Sequence, residues 1–320
     1  MTGYVIRRLA LIIPTLFLVT IIVFLLVRFI PGDIIELMVA EMSAEGTVTT
    51  EITAETIRTA LGMDVPVHTQ YGKWLGGVFR GDLGDSLWTG RAITVELGNR
   101  IPISFELGLL AIITALLIAI PIGVYSAIRQ DTAGDYLGRT FAILCISLPG
   151  FWLGTMVVVY PSIWWNWSPP LDYIPIVENP IENLKQFIIP AVLMGMVMSG
   201  TTMRMTRTMM LEVLRQDYIR TAWSKGLMER VVVVRHAMKN ALIPVVTIAA
   251  GMLPVLIGGT VVFESIFALP GVGLYMIEAL NKRDYPIISG INVIMGMLVL
   301  VLNLVVDLTY AWLDPRVRYR

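Results

Sequence analysis

Apolar positions along the chain gather into six runs, near 9–30, 101–128, 139–161, 187–207, 241–263 and 286–313. Each is close to the roughly 20 residues that carry an α-helix across a bilayer. The pattern predicts an all-α, polytopic membrane protein with about six transmembrane helices. The fourth run is the weakest, because Thr201, Thr202 and Arg204 shorten its apolar part. Pro149 followed by Gly150 is expected to bend or loosen the third helix, exposing carbonyls toward a translocation path or simply kinking it. Pro270, Gly271 and Gly273 break any continuous helix in the interval 264–285, which reads as an outer loop. The apolar stretch after Arg7 and Arg8 lacks a small-residue cleavage site and exceeds the roughly 7 to 15 residues of a signal-peptide core, so it reads as a retained span.

These runs divide the chain. A cytoplasmic N-terminus and first span cover 1–30, and an external loop subdomain rich in acidic residues covers 31–100. A core of five further spans covers 101–313, and a short cytoplasmic tail covers 314–320. Trp164, Trp165 and Trp167, in a second outer loop, suit the headgroup layer as an aromatic belt.

One interval interrupts the apolar pattern in a different way. From 208 to 240 the core carries a polar, helix-compatible segment whose heart reads DYIRTAWSKGLMERVVVVRHAMKNALIP over 217–244. Arg220, Lys225, Arg230, Arg235 and Lys239 are cationic, and only Asp217 and Glu229 oppose them, so the stretch stands outside lipid. Gly226 in its middle permits a positive-φ turn or close approach by another backbone. A helix, a glycine break and a second helix are expected. The segment fits a docking element for another protein; it also fits a solvated loop that follows the positive-inside bias.

Composition supports the membrane reading: 56% of the 320 residues are hydrophobic and 15% charged, against roughly 25% charged in soluble domains, and mean hydropathy is +0.74. Net charge is zero, with 24 basic and 24 acidic residues, and nothing in that balance points to nucleic acid as a partner. The distribution of charge is informative. With the N-terminus inside, inner segments hold fifteen Arg and Lys and outer segments eight, with Arg28 inside a span. Basic loops stay cytoplasmic, so both termini are placed there. The single Cys145 excludes an intrachain disulfide. His68 and His236 fall on opposite sides of the membrane and build no metal site or nucleophile–base pair. No GxxxxGK[ST] loop occurs, so this chain is not itself expected to be a P-loop ATPase or an enzyme, and it holds no cofactor.

Polar groups within spans are candidates for a pore or gate. Asn303 and Asp307 lie four apart and share a helix face. Asp307 fits an intramembrane functional acid, or a packing role through a basic partner near the cytoplasmic end. Glu106 and Glu264, near outer ends of spans where water reaches, fit an outer gate or helix caps. Met194, Met196, Met198, Met203, Met205, Met209 and Met210 crowd the fourth span and fit either an adaptable apolar lining or ordinary helix packing.

Ordered motifs run the whole length of the chain. Tyr4, Arg7-Arg8-Leu9, Pro14 and Pro31-Gly32-Asp33 open it; Leu61-Gly62-Met63-Asp64, Gln70-Tyr71, Trp74-Leu75 and Gly81-Asp82-Leu83-Gly84-Asp85-Ser86 follow. The polar segment contributes Tyr218-Ile219-Arg220-Thr221-Ala222, Lys225-Gly226-Leu227, Arg235-His236-Ala237 and Asn240-Ala241-Leu242-Ile243-Pro244. Glu264, Phe267, Pro270-Gly271-Val272-Gly273, Arg283-Asp284-Tyr285-Pro286, Asn303-Leu304, Asp307 and Asp314-Pro315-Arg316-Val317-Arg318 complete the series. Together they resemble the inner-membrane permease subunits of ABC transporters, in the dipeptide and oligopeptide branch that depends on binding proteins. Arg220-Thr221-Ala222 stands where the general permease consensus opens with Glu-Ala-Ala.

The resemblance implies a multi-pass protein of a prokaryotic plasma membrane. It implies half of a translocation pore, completed by a second homologous permease subunit and embedded in membrane lipid. Two cytoplasmic ATPase subunits would bind ATP and Mg, and an extracytoplasmic substrate-binding protein would deliver cargo to the outer loops. Asp217, Arg220, Ala222, Lys225, Gly226 and Leu227 would form the element that couples to the ATPase. Nickel and glutathione importers share these motifs, so those cargoes stay open beside di- and oligopeptides. An ion-coupled secondary transporter is expected to show paired intramembrane acids or broken helices in an internal repeat, which the sequence does not display. A non-transporting membrane scaffold or receptor remains the other alternative.

Overall fold

The computed structural model describes residues 2–28 and 64–313, with side chains for 10–25, 64–256 and 258–306. Residues 31–63 of the external loop subdomain, the tail at 314–320 and the side chain of Asp307 lie outside the described residues.

In chain order the helices are α1 (Thr2–Arg28), α2 (Val67–Phe79), α3 (Ile93–Ile128), α4 (Ala133–Ser147), α5 (Gly150–Trp165), α6 (Pro180–Leu214) and α7 (Asp217–Ser224). They continue with α8 (Glu229–Gly251), α9 (Val255–Gly258), α10 (Val261–Phe267), α11 (Val272–Lys282) and α12 (Tyr285–Leu313). Among the described residues the one extended pairing is an isolated antiparallel bridge between Asp85 and Ala92. The all-α expectation holds. Four helices, α3, α6, α8 and α12, are long and apolar enough to cross a membrane, and the count rises to six if each of two bent pairs is one span.

Both bent pairs sit at the breaks read from proline and glycine. Helices α4 and α5 meet at 92° around Pro149, and α10 and α11 at 84° around 268–271. The expected loop at 264–285 is therefore largely helical on either side of its break. The carbonyl of Pro149 itself accepts the N–H of Leu153 at 3.2 Å, in the first turn of α5.

The fifth apolar run departs most from expectation. A straight helix over 241–263 is replaced by α8, which starts at Glu229 and stops at Gly251, followed by turns and the short α9. Pro254 has no N–H, and its ring clashes with the carbonyl four residues before it. The preceding N–H groups tighten accordingly: Met252 donates to the Ala249 carbonyl at 3.0 Å and Leu253 to that of Ala250 at 3.1 Å. Within α8, residues Val232–Ala237 form a π-helical segment.

The chain separates into two compact units. In the first, built from the chain up to Pro102 with Leu274–Leu304, the Thr20 and Tyr71 hydroxyls lie 2.9 Å apart. Phe24 packs its ring against Tyr71 and Trp74 at 5.1 and 5.6 Å between centroids. In the second, built mainly from Ile103–Gly273, Leu107, Ala111, Phe187, Ala191, Met194, Phe263 and Phe267 form one buried cluster. Lipid tails are as apolar as leucine, so such contacts stabilise through close packing rather than water release. Small residues where helices meet, such as Ala111, Ala115 and Ala191, serve that closeness.

Candidate coupling hairpin and the buried polar sites

Helix α6 runs past the membrane-compatible stretch to Leu214, turns at Arg215–Gln216, and gives way to α7. α7 is amphipathic over two turns. Ile219 and Ala222 are buried against Val124 and Ala127 of α3, Met210 of α6, and Val232, Val233, Ala237 and Ala241 of α8. Asp217, Arg220, Thr221, Ser224 and Lys225 are exposed on the other face. Asp217 and Arg220 approach to 3.4 Å with side chains 95% and 74% exposed, a pair too solvated to hold the helix.

The end of α7 is closed by a local motif. Gly226 adopts φ +74° and donates its N–H to the Trp223 carbonyl at 2.9 Å. The Leu227 N–H reaches the Ala222 carbonyl at 3.5 Å, and the Leu227 side chain packs on the cluster that holds Ala222. This is the Schellman arrangement, in which a left-handed residue satisfies the last helix carbonyls. Ala222, Gly226 and Leu227, singled out in the sequence, are thus brought together as its three defining positions. A Cβ built on Gly226 meets nothing within 4 Å. Glycine is required here by the positive φ, and the close backbone approach expected from the sequence is not made within this chain.

The expected helix, glycine break and second helix are present as α7, Gly226 and the start of α8 at Glu229; the second helix is the head of a long one, so the hairpin is rooted in a long helix on each side. Asn240 donates to the Tyr218 hydroxyl at 2.8 Å, and Arg129 pairs with Glu229 at 3.4 Å. The result is a short, braced element whose outer face exposes its charged and hydroxyl side chains beside Tyr218, Trp223 and Met228, with no metal-holding cluster among the described residues.

The intramembrane candidates separate. Glu264 is fully buried, not water-reached. It accepts from the Thr260 hydroxyl and, at 2.7 Å, from the Gly273 N–H, closing the bend between α10 and α11. A Cβ on Gly273 would come within 2.9 Å of Glu264 Oε2, so this glycine is needed for close approach. Beside it, the Ser104 hydroxyl accepts the Val272 N–H at 2.9 Å. Glu106 is a separate, half-buried site on α3. Pro149 is exposed at the head of α5, and Asn303 is exposed on α12. None of the seven clustered methionines is exposed, and Met194, Met203 and Met210 are buried, which is the packing arrangement.

Sequence reasoning missed two polar centres. Asp135 in the first turn of α4 is completely buried and accepts Arg207 Nε at 2.8 Å and Nη2 at 2.7 Å. The Ser126 hydroxyl and the Asp131 N–H complete its shell. An acid at the head of α4 and an arginine near the end of α6 were the available signal. In the first unit, Asp284 is buried and accepts Ser86 Oγ at 2.7 Å. The Ser86 hydroxyl in turn accepts the N–H groups of Trp88 and Thr89 at 3.2 and 3.1 Å. That link joins the Gly81–Ser86 and Arg283–Pro286 motifs beside a cavity of about 350 Å³ lined by Arg91, Glu96, Arg100, Tyr275 and Lys282.

Comparison with known proteins agrees with this architecture. Residues 119–319 match the family described as binding-protein-dependent transport system inner membrane component, and residues 1–97 match its N-terminal membrane component. A Brucella abortus (strain 2308) protein, provisionally named a peptide transport system permease protein, is 38% identical over 319 residues, covering all of both chains. The dipeptide transport system permease protein DppB of Escherichia coli (strain K12) is 34% identical over 343 residues. The di/tripeptide transport system permease protein DppB of Pseudomonas aeruginosa (strain UCBPP-PA14) is 35% identical over 340; both cover the two chains fully. The helical architecture and these full-length matches agree, and the chain belongs to the family of binding-protein-dependent transport system inner membrane components.

Proposed function

We propose that the chain is the permease subunit of an ATP-driven importer of di- or oligopeptides. It forms one half of the pore with a second homologous permease, and α7 with the turn at Lys225–Leu227 docks on a cytoplasmic ATPase that binds ATP and Mg. Both termini lie in the cytoplasm, and the external loops, with the polar cavity near Ser86 and Asp284, receive the extracytoplasmic binding protein. The observation that carries this reading is the braced hairpin: its polar face is free, and its apolar face is locked onto α3, α6 and α8. A force applied to α7 is therefore delivered to three long helices at once, as coupling between two sites requires. The relatives' peptide names supply the cargo class.

Gly226 supplies the test. Alanine and leucine there meet the same backbone penalty, about 1–2 kcal/mol for a left-handed residue, because nothing in the chain crowds the Cβ. Only leucine adds bulk to the docking face. Uptake of a labelled dipeptide is expected to fall modestly in Gly226→Ala and to collapse in Gly226→Leu, with equal membrane insertion. Normal ATP-dependent uptake by the leucine variant, or equal uptake by both variants, refutes the docking role.

A further inference from the structure

The cavity beside Ser86 and Asp284 has walls that all belong to the first compact unit. Tyr275, Glu278, Ala279 and Lys282 fall at positions i, i+3, i+4 and i+7 of α11, so they share one helix face, and that face is one wall. The turn after α11 adds the next part. Arg283 takes φ +53°, and the chain folds back so that the Asp284 N–H reaches the Ala279 carbonyl at 2.9 Å. Asp284 is thereby brought to the cavity, where Ser86 Oγ donates to its carboxylate at 2.7 Å. On a further wall Glu96 is shared by Arg91 at 3.3 Å and Arg100 at 3.4 Å. The Arg100 guanidinium lies 4.2 Å from the centroid of the Tyr275 ring, and the Trp88 indole N–H donates to the Lys282 carbonyl at 2.9 Å, tying the walls together.

Two charged groups of the lining are left uncommitted by these links. Glu278 and Lys282 are exposed and line the cavity, and among the described residues neither side chain joins an ion pair or a hydrogen bond. They stand four residues apart, about 6 Å along the helix axis. The lining as a whole sets three cations, Arg91, Arg100 and Lys282, against three carboxylates, Glu96, Glu278 and Asp284. A lone anion or a lone cation meets as much repulsion as attraction in a space so balanced. A molecule that carries one charge of each sign, held apart, can meet attraction at both ends. Size sets a second limit, because about 350 Å³ lies at the lower end of ligand pockets. Two extended residues span about 7 Å, which matches the spacing of the two uncommitted charges.

We infer that this cavity holds the two ends of a short zwitterionic peptide, its ammonium on Glu278 and its carboxylate on Lys282. The choice of a peptide over another small zwitterion rests on the cargo class proposed above, whereas the pairing of charges rests on α11 alone. The cavity offered to the binding protein is then also the place that holds cargo as it leaves that protein.

The test is equilibrium dialysis of labelled Ala-Ala against the assembled transporter in nanodiscs, without binding protein or nucleotide. Saturable binding is expected, weakened about tenfold when the amine is capped as N-acetyl-Ala-Ala or the carboxylate as Ala-Ala-amide, since one charge-assisted hydrogen bond contributes about that factor. Glu278→Gln should weaken Ala-Ala about tenfold and leave N-acetyl-Ala-Ala unchanged; Lys282→Gln should weaken Ala-Ala equally and leave Ala-Ala-amide unchanged. Equal affinity for Ala-Ala and its capped forms overturns the inference, as does Ala-Ala binding that neither variant alters. Weaker docking of the purified binding protein on both variants, with Ala-Ala binding unchanged, assigns the cavity to that protein and overturns it too. ATP-driven dipeptide uptake into proteoliposomes, measured alongside, keeps the site and the importer apart. Uptake without variant-sensitive binding overturns the site and leaves the proposed function standing; variant-sensitive binding without uptake upholds the site and overturns the proposed function.

Discussion

Replacing Arg207 with methionine keeps the aliphatic stem and removes the cation that faces Asp135. The Asp135 side chain has no solvent exposure, and Arg207 retains 20%. Of the four donors on the carboxylate, the two strongest, at 2.7 and 2.8 Å, disappear; the Ser126 hydroxyl and the Asp131 N–H remain. Breaking a buried pair from one side costs about 3–5 kcal/mol, because a buried charge is left uncompensated. Partial exposure of Arg207 places this site at the lower end, about 3 kcal/mol. With an unfolding entropy of about 2.1 cal/mol/K per residue, each kcal/mol moves the midpoint of a chain of 320 residues by about 1.5 °C, so thermal unfolding in nanodiscs should shift down by about 4–5 °C. The double variant Asp135→Leu with Arg207→Met removes both charges and should recover at least half of that loss, since apolar replacements of buried pairs are close to neutral. A single variant within about 2 °C of the unaltered chain, or a double variant that loses the sum of two single losses, refutes the account of Asp135 as a buried, paired charge.

Two further outcomes follow from the other buried polar links. Glu264→Ala strands the Gly273 N–H at the bend between α10 and α11, which should cost about 1–3 kcal/mol; hydrogen exchange at 272–273 is expected to quicken, and unchanged protection there counts against the latch. Ser86→Ala removes the hydrogen bond to Asp284 together with the acceptor for the Trp88 and Thr89 N–H groups, a loss of about 1–2 kcal/mol. Limited proteolysis in the 84–92 segment should accelerate, and an unchanged cleavage rate would refute the link.

Much of the fold was legible in the sequence because bilayer thickness converts apolar length directly into helices. The runs that became α1, α3, α6 and α12 were found, each with a helix extending beyond the apolar run at one end or both, since the polar turns that start and stop them carry little hydropathy. Pro149-Gly150 and Pro270-Gly271 announced the two sharp bends. Gly251 and Pro254 announced the third break just as clearly, yet Met252 and Leu253 kept the run apolar, and hydropathy alone read through it. The hairpin at 217–227 was legible by its charge, and the conformation of Gly226 was half legible: the sequence admits both a positive φ and a close approach, and only the backbone separates them. The Asp135–Arg207 and Ser86–Asp284 links were hidden because 72 and 198 residues separate their partners. No local pattern connects such groups. The four consecutive valines at 231–234 gave no hint of a π-helical segment either.

That wide segment has a mechanical meaning. Its hydrogen bonds span five residues and surround the axis less tightly than those of the turns on either side. Bending of the 229–251 rod therefore concentrates at Val232–Ala237, which is where Ile219 and Ala222 press. The hairpin thus grips the shaft where its hydrogen bonding departs from the α pattern, so the wide turn and the seat of the short helix are one and the same place.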